Sequence, residues 1–129
     1  VNGDIVDDVS AEQALKSSGA DGVMLGRGAM GQPWIFAQFL GLEMPTGGER
    51  FDFIREHLDA MHSFYGEDAG VRIARKHIQA YLQRWGMSQW TDDFMGLTSA
   101  QQQHAWLLAR REQMLLHAAI NTSQSKAAA

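Results

Sequence analysis

Gly22-Val23-Met24-Leu25-Gly26-Arg27-Gly28-Ala29 is a short apolar run closed by glycines. Such a run suits a fully buried strand of a parallel sheet. Upstream, Val1-Asn2-Gly3-Asp4-Ile5 reads as a strand end running into a loop. Between the two, Ser10 is the expected N-cap of a short helix through Ser18, with Gly19 at the C′ position. Ala11, Ala14 and Leu15 fall on the buried side of that helix. Strand, loop, helix and strand within about 25 residues is the repeat of a (β/α) barrel or a doubly wound sheet. One such unit cannot close a barrel, so the reading calls for a partner outside this chain.

Downstream the pattern turns helical. Pro33 suits the first turn of a helix to about Leu40. Pro45-Thr46-Gly47-Gly48 reads as a flexible linker. A second helix is expected over Glu49 to Tyr65, with Phe51, Ile54, Leu58, Met61 and Tyr65 on one face. A third is expected over Asp68 to Trp85, with Val71, Ala74, Ile78, Tyr81, Leu82 and Trp85 on its apolar face. Gly66 and Gly86 mark its two ends. Gly86 to Leu97 reads as an irregular connection pinned by Trp90 and Phe94. Thr98 then caps a last helix to Ile120, and residues 121–129 read as a disordered tail. The fold class expected is mainly α: the end of a (β/α) barrel over 1–44, then a helical bundle over 45–120.

Composition narrows the function classes. The chain has 129 residues, 45% hydrophobic and 20% charged, which excludes a fully disordered polypeptide. No apolar run approaches bilayer length, and the first residues lack the pattern of a signal peptide. They also lack an initiator Met, so the chain is expected to begin inside a longer protein. The absence of Cys removes disulfides, thiolate metal sites and cysteine nucleophiles, and fits a reducing, cytoplasmic setting. The net charge of −4 argues against a uniformly basic nucleic-acid binder, yet allows a local basic patch.

Two glycine corners carry the chemistry: Asn2-Gly3-Asp4 and Gly26-Arg27-Gly28. Glycine lets backbone approach a ligand closely, and N–H groups in such turns bind anions. Arg27 adds a permanent charge whose fork fits phosphate oxygens. In (β/α) barrels the loops after strands 7 and 8, with a short extra helix, frequently form a phosphate site. A short segment starting near Ala29 is the candidate for that helix.

Three stretches together resemble the end of the catalytic barrel in tRNA-dihydrouridine synthases. They are Asn2-Gly3-Asp4-Ile5, Gly19 to Ala29, and Pro33-Trp34-Ile35-Phe36. Arg72-Ile73-Ala74-Arg75-Lys76-His77, followed by Tyr81, resembles the helical-domain signature of the same family. The resemblance covers residues 1 to about 85 and is nearest the bacterial branch that includes nitrogen-regulation-linked members. It implies a (β/α)8 TIM barrel that binds FMN, and reduction of uridine in tRNA with NADPH as reductant. It implies that Asn2, Gly3 and Asp4 belong to the FMN loop after strand 7, and Gly26 and Arg27 to the phosphate loop after strand 8. A carboxylate sits poorly beside a phosphate, so Asp4 suits a backbone cap or the ribityl hydroxyls better. The proton donor of the family is a cysteine earlier in the barrel. No catalytic residue is therefore expected here, the N-terminal barrel half is an implied partner, and this chain alone is expected to be inactive.

On the third helix, at about 100° per residue, Arg72, Arg75, Lys76, Gln79 and Gln83 fall within roughly a third of the circumference. Three cations and two amides without an acid suit a phosphate backbone, although most charge runs are merely solvated. His77 and Arg84 flank this face, and the resemblance makes Arg72, Arg75, Lys76 and His77 the candidate tRNA contacts. His57 and His62 do not stack as ligands, and His104 and His117 lack carboxylates at ligand spacing, so no metal is expected. Trp34, Trp85, Trp90 and Trp106 suit base stacking, but buried packing suits most of them better. Two alternatives stay open: an autonomous helical RNA-binding module, and a piece of another FMN barrel oxidoreductase of the dihydroorotate dehydrogenase type.

Overall fold

The computed structural model describes residues 4–128, with side chains through residue 119. The chain divides into two compact units, Val1–Met44 and Pro45–Ala129. Both are built from helices and turns, and no strand forms among the described residues.

In the first unit, α1 spans Asp8–Ser18. Its N-cap is Asp7, not Ser10. The Ser10 N–H donates to the Asp7 carboxylate at 2.8 Å, and the Asp7 N–H donates back to Ser10 Oγ at 3.1 Å. Ser10 is thus the reciprocal partner of a capping box, one turn inside the helix. The Ser10 backbone bond, reinforced by its hydroxyl, holds the Asp7 carboxyl below its ordinary pKa. Gly19 closes the helix in the left-handed region at φ 68°, as its position predicts. The buried strand expected at Gly22–Gly26 does not form: only Met24 makes a β-bridge, and it is 61% exposed. A parallel strand needs neighbours on both edges and cover on both faces, which the described residues do not supply. A single 3-10 turn follows at Arg27–Ala29, then α2 at Ile35–Phe39.

The second unit is a helical bundle. α3 spans Gly47–Tyr65, so the expected linker glycines lie in its first turn. Thr46 is the cap: its hydroxyl accepts from the Glu49 N–H at 3.2 Å, and Glu49 accepts from the Thr46 N–H at 3.1 Å. This reciprocal pair outweighs the low helix propensity of two glycines in the first turn. Phe51, Ile54, Leu58 and Met61 are buried, whereas Tyr65 is 49% exposed. α4 spans Glu67–Arg84, with Glu67 and Asp68 in its first turn and Arg84 in its last, matching the helix dipole. Its apolar residues from Val71 to Leu82, and Trp85 beyond it, are buried as expected.

Only Gly66 separates α3 from α4, so the two helices pack as an antiparallel hairpin. Gly70 sets their closest approach. A Cβ there would lie 2.7 Å from the Met61 carbonyl oxygen and 2.9 Å from His62 Cα. The irregular connection expected after Gly86 contains a 3-10 turn, Ser88–Trp90, and α5, Thr91–Met95. Phe94 is buried with its ring 5.1 Å from that of Trp106, so the aromatic pin is present. The expected single last helix is two: α6 at Ala100–Ala109, capped by Ser99, and α7 at Arg111–Ala128, which carries helix past Ile120. No helix is long and apolar enough to cross a membrane among the described residues.

Candidate functional site

In the first unit the two corners meet. Arg27 Nη2 donates to Asp4 Oδ1 at 2.7 Å, across 23 positions of sequence. Gly28 makes that meeting possible, because a Cβ there would overlap the Ile5 carbonyl oxygen. Gln32 fastens the crossing by donating from Nε2 to the carbonyls of Gly28 at 2.8 Å and Val6 at 3.2 Å. Ile5 lies beneath, 2% exposed. The Arg27 and Asp4 side chains are 83% and 72% exposed, so their ion pair adds little stability. One nitrogen of the guanidinium is held by Asp4, and the exposed remainder of the fork can take a phosphate. The donor set therefore fits an anionic group. Asp4 does not cap a backbone here; it orients Arg27. Asn2 and Gly3 lie outside the described residues. The extra helix sought near Ala29 is the three-residue turn Arg27–Ala29.

In the second unit the four basic candidates separate into two kinds. Arg72 and Lys76 are exposed. Arg75 is half-buried, and its Nη2 donates to the Leu97 carbonyl at 3.0 Å while its Nε is buried without a hydrogen-bond partner. It ties α4 to the segment before α6, and does not point away from the packed side as its helical position suggests. His77 is half-buried, edge-on to His57 with centroids 5.0 Å apart. Burial first, then Lys76, lowers the His77 pKa. Burial first, then His77, does the same to His57. His57 Nδ1 and the Tyr81 hydroxyl share a hydrogen bond of 2.9 Å. Burial also raises the pKa of that phenol, keeping it neutral.

A second polar chain escaped the sequence reading. Gln103, 0% exposed, donates to the Val71 carbonyl at 3.1 Å. Its Oε1 accepts from His62 Nε2 at 2.6 Å, and His62 Nδ1 lies 3.3 Å from His104 Nε2. His104 has a carboxylate neighbour after all, Asp59 on α3 at 3.8 Å. Burial is the main cause of a lowered His104 pKa; the adjacent His62 lowers it further while Asp59 opposes. The available signal was Gln103 itself, a polar residue three and four positions before the core residues Trp106 and Leu107. No group of three or more ligands able to hold a metal occurs among the described residues. Trp85 and Trp106 are buried, at 4% and 7% exposure.

A unit in which Arg27 pairs with Asp4 across a close backbone crossing at Gly28, followed by a helical bundle with Arg72 and Lys76 exposed on α4, is the arrangement that the described residues define. The family model for dihydrouridine synthase matches residues 1–120, and the chain belongs to that family. A probable tRNA-dihydrouridine synthase of Rhodobacter capsulatus is 51% identical over 89 residues, covering 64% of this chain and 28% of the relative. One from Rickettsia conorii is 47% identical over 87 residues, covering 62% and 26%. The tRNA-dihydrouridine synthase B of Xanthomonas axonopodis is 47% identical over 87 residues, with the same shares. The chain thus spans about a quarter of the length of these relatives, 26–28%.

Proposed function

We propose that this chain is the C-terminal part of an FMN-dependent tRNA-dihydrouridine synthase, which reduces uridine in tRNA to 5,6-dihydrouridine with NADPH. The first unit ends the FMN barrel, and the second recruits tRNA. The observation that carries the reading is the meeting of Asp4 and Arg27 within a chain of this family. Two corners distant in sequence form one spot, as a shared phosphate site requires. Arg27 would hold the FMN phosphate, with Gly26, Asn2 and Gly3 as the further candidate contacts. Asp4 fixes the guanidinium and leaves the ribityl hydroxyls within its chemistry as an acceptor. A flavin held there and reduced by NADPH would provide the hydride chemistry for the uracil ring. This chain's own residues bind and orient, and the proton donor comes from elsewhere in the protein, because the chain has no cysteine.

Arg72 and Lys76 serve the tRNA backbone in this reading, while Arg75 holds the surface that presents them. A flavin titration tests the first unit. In the complete protein carrying this chain, Arg27→Ala should weaken FMN binding by about 1.5–3 kcal/mol, the scale of a hydrogen bond to a charged group. An unchanged dissociation constant removes Arg27 from the phosphate site. The chain by itself should show no reduction of tRNA uridine above a no-protein control when given FMN and NADPH.

A further inference from the structure

α6 is joined to the α3–α4 hairpin through side chains whose donor and acceptor roles are forced. Gln103 is 0% exposed, and its Nε2 donates to the Val71 carbonyl at 3.1 Å. A carbonyl can only accept, so the amide cannot be turned the other way, and Oε1 accepts from His62 Nε2 at 2.6 Å. His62 Nε2 must therefore carry a hydrogen in every closed state. The next link runs between His62 Nδ1 and His104 Nε2, 3.3 Å apart. One hydrogen fits between two such nitrogens, and two do not. With both rings neutral, His104 Nε2–H donates to a bare His62 Nδ1. A first added proton takes the other nitrogen of His104 and leaves that bond intact. A second sets N–H against N–H and charge against charge, so the contact must open.

The charged groups around the pair do not lift this limit. From α3, Asp59 Oδ1 lies 3.8 Å from His104 Nε2 with its side chain 73% exposed, and Arg55 opposes it. Arg55, Glu56 and Asp59 share an open cleft with His104 and Leu108, so protons reach the pair from solvent. From α4, Glu67 accepts from the Ala100 N–H at 3.1 Å in the first turn of α6. Arg75 holds the Leu97 carbonyl just before it. Neither tie contains a histidine, so His62 and His104 make the proton-sensitive joint between α6 and the hairpin.

We propose that His62, Gln103 and His104 form an acid-release latch on α6: the imidazole pair accepts one proton and no more, and the helix lets go when both rings are charged. The latch is independent of the tRNA reading. Once opened, each ring titrates near its ordinary value of about 6.5, whereas the closed pair excludes the second proton. Opening therefore becomes easier as pH falls below that value.

Hydrogen exchange of the complete protein carrying this chain reads the latch, as protection factors for the α6 backbone amides. One excluded proton predicts a loss of about 25-fold in protection between about pH 7 and pH 5. His62→Gln keeps a donor to Gln103 and offers His104 an acceptor that never charges, so its loss should shrink to within about threefold. His57→Gln, outside the latch, should keep the wild-type loss. Protection of α6 that does not change with pH in the wild type overturns the latch, and so does a full wild-type loss in His62→Gln. A His57→Gln variant that abolishes the loss also overturns it, by assigning the acid sensitivity to the other histidine pair. Should His62→Gln fail to fold, His104→Gln carries the same expectation, and a full wild-type loss there overturns the latch instead.

Discussion

The two units treat their apolar residues differently. The bundle encloses a core of them, with Ile54, Leu58, Ala74 and Leu107 each 0% exposed, and leaves Phe64 at 80% and Leu116 at 64% on its surface. The first unit leaves Leu40 at 74%, Val9 at 68%, Met24 at 61% and Leu42 at 59% exposed. The periodic apolar faces of α3 and α4 are buried within the unit, so their pattern is satisfied locally. The strand-like run of the first unit is written for neighbours that its own described residues do not provide. The larger enclosed core thus belongs to the bundle, and the Arg27 corner to the smaller unit.

That contrast predicts where truncation hurts. Leu58→Ala should cost about 2–5 kcal/mol in denaturant unfolding of the chain, from lost burial and the cavity left behind. Leu40→Ala should stay within about 0.5 kcal/mol, as for a surface change. Equal costs would erase the distinction between the units. Next in size is Gly70→Ala, for which crowding against Met61 and His62 should cost about 1–3 kcal/mol. A neutral result there would mean that α3 and α4 separate freely at their crossing.

The basic row supplies a finer version of the same contrast. Arg75→Ala removes the donor to the Leu97 carbonyl and should destabilise by about 1–3 kcal/mol. Lys76→Ala, on the exposed face, should be within about 0.5 kcal/mol of wild type. Equal melting temperatures for the two would return Arg75 to the solvated surface.

Acid should act mainly on the bundle. His57, His77 and His104 all titrate below their ordinary value of 6.5 in the folded chain. Just below that pH the unfolded chain binds more protons than the folded one, so stability rises with pH there and falls as pH drops through 6.5. The melting temperature of the bundle should therefore decline between about pH 7 and pH 5, the window of unperturbed histidine. A flat profile would contradict the neutral packing assigned to these rings.

How much of this was legible in the sequence differs by unit for a physical reason. The faces of α3 and α4 could be read because helical periodicity and burial agree along long segments. Their junction could be read from Gly66. The starts of α1 and α3 were misread by a turn or less. The Asp7–Ser10 and Thr46–Glu49 pairs cap reciprocally, and Gly47-Gly48 looks like a break when taken alone. Arg75 looked exposed because its acceptor, Leu97, arrives from another segment 22 positions away. The same holds for Asp59 beside His104 and for Gln103 beneath His62. At the anion corner, periodicity offers nothing. The resemblance brought Asp4 and Arg27 to one cofactor, and the crossing at Gly28 is what joins them.

The salt dependence of tRNA binding tests the central claim most directly, that this bundle presents charge to tRNA while the buried cation only supports it. Arg72→Ala with Lys76→Ala, introduced into the complete protein carrying this chain, should weaken binding and flatten the plot of log affinity against log salt. Two lost phosphate contacts correspond to about 1.4–1.8 slope units. Flavin absorbance should stay at the wild-type level, because these residues and the Arg27 corner lie in separate units. A double variant that keeps the wild-type affinity and slope would contradict the account and leave this face as ordinary solvated surface.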